Sequence, residues 1–167
     1  MKRGGRETGG RLALRYAVRD LAGLVHLQVA APQEFRPRAI EVSVQGRAGE
    51  VEFGGARIEW CISARRGSAR VKAAAQRECF DAGKIGSRIV LRHWQPGDRF
   101  QPIGMASSVK LQDFFTNRKV PQNQRRRLIV GATAKGEVFW VEGMRISERF
   151  KLSNGTIRRL QWRWKRL

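Results

Sequence analysis

Residues 40–62 read IEVSVQGRAGEVEFGGARIEWCI, and this stretch decides the fold class. Ile40, Val42 and Val44 alternate with Glu41, Ser43 and Gln45, the period of two that turns one face of a strand to a core and the other to water. Residues 46–49 predict a turn, after which Val51 and Phe53 resume the alternation. Gly54-Gly55 predicts a tight turn, because glycine reaches positive φ without a Cβ clash. Ile58, Trp60 and Ile62 then carry a further strand. Short turns between alternating strands imply antiparallel pairing.

The same period returns at the other end of the chain. Over 156–165, Leu160, Trp162 and Trp164 fall on one side and Arg159, Gln161, Arg163 and Lys165 on the other. Between them, 89–94 and 137–142 predict strands, and Pro96-Gly97-Asp98 predicts a turn. A helix is expected over 109–115 with Ser107 or Ser108 as its N-cap, since Leu111, Phe114 and Phe115 share one helical face. Pro121 suits the first turn of a second short helix running to Arg127. The basic, small-residue-rich 64–77 has no clear period and reads as a loop or linker ended by Phe80-Asp81-Ala82. Residues 21–30 are apolar enough for a strand or short helix, and Pro32 and Pro37 interrupt the chain after them. The expected class is therefore α+β: a small antiparallel β unit and basic linker at 39–78, then a β-rich C-terminal domain at 79–167 with two short helices. Residues 1–38 form a partly ordered lead-in.

Charge bounds the partners. Lys plus Arg number 34 against 14 Asp plus Glu, a net charge of +20. Such an excess repels itself in the folded state, and a polyanion would relieve it and release counterions. Nucleic acid is the first candidate, an anionic membrane surface the second, and a merely basic soluble protein the plain alternative. No apolar run approaches the roughly 20 residues that span a bilayer, and the glycine-rich start lacks the apolar centre of a signal peptide. A cytoplasmic location is expected, without a membrane partner. Cys61 and Cys79 form no CxxC and no Cys/His cluster, so no metal site and two reduced thiols are expected.

A catalytic set is hard to assemble. The two histidines, His26 and His93, have no Ser or Cys partner in sequence, and no Walker loop or GxGxxG occurs. Asp98, after Pro-Gly, reads as a turn residue bonding nearby N–H groups. What remains is a cationic surface: Arg118-Lys119 and Arg125-Arg126-Arg127 bracket Pro121, and three adjacent like charges repel without a partner. The tryptophans alternate into the apolar side and read as core.

The motifs of the second half, in order, resemble the C-terminal domain of the tRNA(Ile)-lysidine synthetase family. They are Leu91-Arg92, Pro96-Gly97-Asp98-Arg99-Phe100, Pro102-Ile103-Gly104, then Lys110-Leu111-Gln112-Asp113-Phe114-Phe115, then Lys119-Val120-Pro121 with Arg125, and finally residues 136–143 with Arg145-Ile146-Ser147. The resemblance is strong over 80–151, fair over 40–64 and absent before Ile40. It implies the sandwich-like fold shared with a domain of the phenylalanyl-tRNA synthetase β subunit. It also implies membership of a system that uses ATP and lysine to convert the wobble cytidine of tRNA(Ile) to lysidine. One departure is Leu128-Ile129-Val130, where the family commonly has a proline.

The family's N-terminal domain binds ATP through an S-G-G-x-D-S loop, and no such loop occurs in these 167 residues. ATP and Mg²⁺ are therefore expected of a catalytic domain elsewhere, with no cofactor in this chain and no lysidine made by it alone. The resemblance points to tRNA(Ile) as partner, gripped mainly around the acceptor stem, and to a separate catalytic domain or subunit. The alternative is a structural module that docks such a domain. The residues expected to grip RNA are Arg99, Lys110, Arg118, Lys119, Arg125, Arg126 and Arg145, with Arg92 weaker because it can pair internally with Asp98. Contacts are expected mostly to phosphate and 2′-hydroxyl groups.

Overall fold

The structure is a computed structural model, and it describes 14–19 and 25–30 as strand backbone, and 35–64, 76–144 and 146–167 in full. Strands β1 (Leu14–Arg19) and β2 (Val25–Ala30) pair antiparallel with Leu14 opposite Ala30, and they belong to a unit of their own, Met1–Arg36. Of the two options at 21–30, the strand is the one seen, over Val25–Ala30.

The second unit, Pro37–Leu167, holds the rest. Its elements are β3 (Ala39–Ser43), β4 (Ala48–Phe53), β5 (Ala56–Ala64), β6 (Arg77–Asp81), α1 (Ala82–Ile85) and β7 (Arg88–His93). After these come β8 (Arg99–Phe100), β9 (Val109–Lys110), α2 (Leu111–Asn117), α3 (Gln122–Arg125), β10 (Ile129–Thr133), β11 (Val138–Val141), a 3₁₀ turn at Glu148–Phe150 and β12 (Arg158–Arg166).

Two four-stranded antiparallel sheets form, in the orders β11-β10-β7-β3 and β4-β5-β12-β6. The antiparallel pairing and few short helices expected from the alternation are both present. The boundary at 78/79 is not a structural division, however. β3 lies against β7, and β12 sits between β5 and β6, so strands from both segments complete the same two sheets. The reason is burial: a three-strand unit over 39–64 has an apolar face and nothing of its own to cover it. Residues 65–75 of the expected linker lie outside the described residues.

The faces that alternate in sequence meet here. Ile58, Trp60, Phe80, Leu160 and Trp162 from one sheet pack with Val42, Ile89, Leu91, Phe139 and Trp140 from the other. The Phe139 ring meets Phe80 edge-on at 5.2 Å and Trp162 at 5.6 Å, a favourable aromatic geometry. Arg159, Gln161, Arg163 and Lys165 stay off this core, as the period requires.

Strands β10 and β11 are buried along their whole length. A second core, with Phe100, Leu111, Phe114, Phe115, Val130, Val138 and Val141, covers their other face. Being buried on both sides, β10 shows no alternation, which is why 129–133 carries no strand signal. Pairing of β10 with β11 shifts between Gly131 and Ala132, leaving Phe139 as an extra residue, so Phe139 and Trp140 both reach the first core. A Cβ on Gly131 would stand 2.8 Å from the Phe139 ring, so only glycine fits beneath it.

The α2 helix starts at Leu111, two residues later than the sequence suggests, and without a serine cap. Val109 and Lys110 pair instead with Phe100 and Arg99, and the Leu111 N–H bonds the Asp98 carbonyl at 2.8 Å. Arg99 holds Ser108, donating to its Oγ at 3.1 Å and its carbonyl at 2.8 Å. Pro121 stands at the N-cap of α3 rather than inside it, and the α-helix stops at Arg125. The short α1 is too brief to show a helical period in sequence. Asp81 caps it, accepting from the Gly83 N–H at 2.9 Å.

Candidate nucleic-acid interface

The α2–α3 pair rides on the second core through Leu111, Phe114, Phe115 and Val120. Helical spacing then leaves Lys110, Asp113, Asn117 and Arg118 along one outer side. Arg99 lies opposite Lys110 across the β8–β9 ribbon. Arg99, Met105, Val109, Lys110, Asp113, Phe114, Asn117 and Arg118 thus line one open groove of about 420 Å³. The Arg118 guanidinium lies 5.1 Å from the centre of the Phe114 ring, a cation–π contact.

The chain leaves α2 through a left-handed residue. The Val120 N–H bonds the Phe115 carbonyl and the Lys119 N–H the Thr116 carbonyl, both at 2.9 Å, which is the Schellman pattern. Lys119 occupies the position glycine favours, at φ 54°. A lysine there costs stability relative to glycine. Lys119→Gly is expected to stabilise the fold by about 1 kcal/mol while weakening polyanion binding. Thermal melts and binding curves on one preparation check this, and a fall in both would remove the argument.

Arg125 differs from its neighbours. Half-buried, it donates from Nε to the Val120 carbonyl at 2.8 Å and from NH1 to Thr116 Oγ1 at 3.1 Å. It clamps the turn between the helices, a structural task that three arginines in a row do not reveal. Arg126, exposed, makes no such bond among the described residues. Arg145 lies outside the described residues.

Several cations outside this surface pair with carboxylates. Arg92 pairs bidentately with Asp98, both distances 2.7 Å, and Asp98 also accepts from the Gln95 N–H at 2.8 Å. The internal pairing expected of Arg92 and the turn role of Asp98 are therefore both present. Arg57 binds Glu52 at 2.7 Å, Arg149 binds Glu137 at 2.7 Å, and Arg163 lies 3.7 Å from Glu59. Arg166 donates to both carboxylate oxygens of buried Glu142 at 2.5 Å, and to the carbonyls of Gly54 at 2.5 Å and Arg127 at 3.0 Å. Sequence reasoning missed that clasp, because nothing local joins positions 54, 127, 142 and 166.

His93 is packed rather than poised. Its ring lies 5.3 Å from Phe53, and Nδ1 accepts the Arg38 N–H at 3.2 Å. Burial, and then the Arg166 charge, hold its pKa below the usual histidine range. Among the described residues no group of three or more His, Cys, Asp or Glu could hold a metal ion. No described helix is long and apolar enough to cross a membrane.

Fold and surface together define a basic antiparallel β-sandwich domain with a cationic helix pair on one sheet. Residues 89–162 match the family described as the TilS substrate C-terminal domain. The tRNA(Ile)-lysidine synthase of Clostridium acetobutylicum is 43% identical over 77 residues, which cover 46% of this chain and 16% of the relative. That of Bacteroides thetaiotaomicron is 35% identical over 89 residues, covering 53% of this chain and 21% of the relative. A crystal structure of the TILS C-terminal domain superimposes with a TM-score of 0.64 at 19% identity, covering 78% of this chain and 98% of that one, and so matches in fold. Over residues 89–162 this chain is similar to the C-terminal domains of tRNA(Ile)-lysidine synthases. The matched stretch spans about a sixth to a fifth of the length of these relatives.

Proposed function

We propose that this chain grips tRNA for a lysidine-forming enzyme through the α2–α3 surface, the substrate being tRNA(Ile). The wobble-cytidine chemistry with ATP, Mg²⁺ and lysine then falls to a separate catalytic domain in the cytoplasm, and this chain makes no lysidine by itself. Arg99, Lys110, Arg118, Lys119 and Arg126 face the RNA, joined by exposed Arg127. Arg125 shapes the surface, and Arg145 is proposed from its motif alone.

One observation carries the reading. Among the described residues, seven cations fall from Arg99 to Arg127 and none meets a carboxylate, whereas Arg57, Arg92, Arg149, Arg163 and Arg166 do. Cations elsewhere that meet no carboxylate among the described residues, such as Arg47, Arg77 and Arg88, do not share a short segment with so many others. A cluster of exposed like charges with a single acid, Asp113, that none of them pairs with is a surface arranged for an external anion. Phosphate contacts release counterions, so log K should fall steeply and linearly with log salt.

The test is tRNA binding by the full chain over a salt series. Arg126→Ala with Arg127→Ala should weaken binding to many tRNAs almost equally and shallow the slope by up to about one unit per lost contact. Folding should survive, since exposed charges usually contribute within about 0.5 kcal/mol. Arg125→Ala should instead lower the melting temperature. Wild-type binding by the double variant across the series would show that this patch is not the RNA site.

A further inference from the structure

Between Arg99 and Gly136 the chain has eight cations, Arg99, Lys110, Arg118, Lys119, Arg125, Arg126, Arg127 and Lys135, and one acid, Asp113. That acid lines the groove with Arg99, Lys110 and Arg118, yet is exposed and forms no ion pair among the described residues. In a groove meant for phosphate alone, a free carboxylate is an opposing charge. Its two oxygens are suited instead to a pair of adjacent N–H donors.

Resting on the RNA-binding reading above, we propose that this groove takes one unpaired guanine nucleotide of the bound RNA. The base lies on the Arg118 guanidinium, and its Watson–Crick edge bonds Asp113. Guanine is the RNA base whose Watson–Crick edge sets two donors, N1–H and N2–H, side by side for one carboxylate. In a duplex that edge is taken by cytosine, so the nucleotide must be unpaired, as sequence-specific RNA recognition generally requires.

Other features of the groove fit the same ligand. The Arg118 guanidinium lies over the Phe114 ring, 5.1 Å from its centre, and the residue is exposed, so it offers a planar cation for stacking. Met105, 39% exposed, supplies an apolar wall. Asn117, one turn beyond Asp113, has an exposed amide that can add a bond to the base or ribose. Lys110 is an exposed cation for the nucleotide's own phosphate. Arg99 is fixed by Ser108 and shapes the rim. The volume of about 420 Å³ is in the range of small-ligand sites, roughly 300–1,000 Å³.

The experiment is fluorescence anisotropy with the full chain and labelled oligouridine probes carrying one central guanosine or one central adenosine, beside an RNA duplex. The guanosine probe should bind about 10-fold more tightly, within the discrimination expected of a bidentate base contact. Asp113→Asn should bring guanosine down toward adenosine and leave the duplex no weaker. Arg118→Lys, which keeps the charge and loses the flat surface, should weaken both single-stranded probes and spare the duplex. Equal affinity of wild type for the two probes overturns the proposal. So does an Asp113→Asn variant that binds every probe more tightly by the same factor, the behaviour of a carboxylate that only repels phosphate. If wild type binds neither these probes nor tRNA, the RNA-binding reading fails and takes this proposal with it.

Discussion

Arg166→Ala is expected to cost about 2–4 kcal/mol of stability, the larger part from leaving Glu142 buried without its cation. Glu142 is 5% exposed and retains, besides Arg166, the Ile129 N–H at 3.2 Å. The value lies below that of a fully buried pair because Arg166 is 40% exposed. At this chain length the melting temperature should fall by roughly 2–4 °C per kcal/mol. Arg166→Lys should rescue little, since an ammonium cannot serve two carboxylate oxygens and two carbonyls in one plane. The clasp joins the end of β12 to the β4–β5 turn at Gly54, to the end of β11, and to Arg127 just after α3. Urea denaturation measures the loss. A variant within about 0.5 kcal/mol of wild type, a margin typical of surface changes, would show that the clasp is ornamental.

The second large effect is a stability that falls as pH rises. Glu78 lies on the inward face of β6, opposite Trp162 of β12. Its Oε2 is buried without a hydrogen-bond partner, and so is the Trp140 indole nitrogen. Burial drives the Glu78 carboxyl up to about 8. The folded state therefore holds the proton more tightly than the unfolded chain, whose carboxyl titrates near 4.5. Stability from this group is complete below about pH 4.5 and is lost as pH rises through 8. At about 1.4 kcal/mol for each pH unit between those two values, wild type should lose roughly 3 kcal/mol between about pH 5.5 and 8.5. Glu78→Gln should remove most of that slope. The comparison also separates Glu78 from His93, whose depressed pKa works the other way by making stability fall with acid below pH 6.5. Equal slopes for wild type and variant would show that Glu78 ionises freely in the fold.

The residues behind these expectations differ in how legible they are in sequence. The alternation at 40–62 and 156–165 is a local property, and it correctly sends Ile58, Trp60, Leu160 and Trp162 inward. Arg92 and Asp98 are readable as a pair because six residues and one turn separate them. The resemblance of 80–151 to the lysidine synthetase domain is likewise written in short motifs in order, and the family match at 89–162 overlaps most of it.

The sequence by itself determined which segments are strands with one wet face, where the tight turns fall, where positive charge is dense, and which family the second half resembles. Each depends on residues near one another along the chain. Only the tertiary structure decided that strands from 39–64 and 77–166 share two sheets, since pairing partners are set by which apolar faces can cover one another. It also decided that β10 is a strand at all, because burial on both faces erases the period. Most of all, it sorted the arginines. Arg125 bends back to a carbonyl five residues away, Arg166 reaches carbonyls 39 and 112 residues distant, and Arg126 meets no carboxylate among the described residues. A guanidinium has five donors on a long flexible stem, so its partner depends on what the fold brings within reach rather than on its neighbours in sequence.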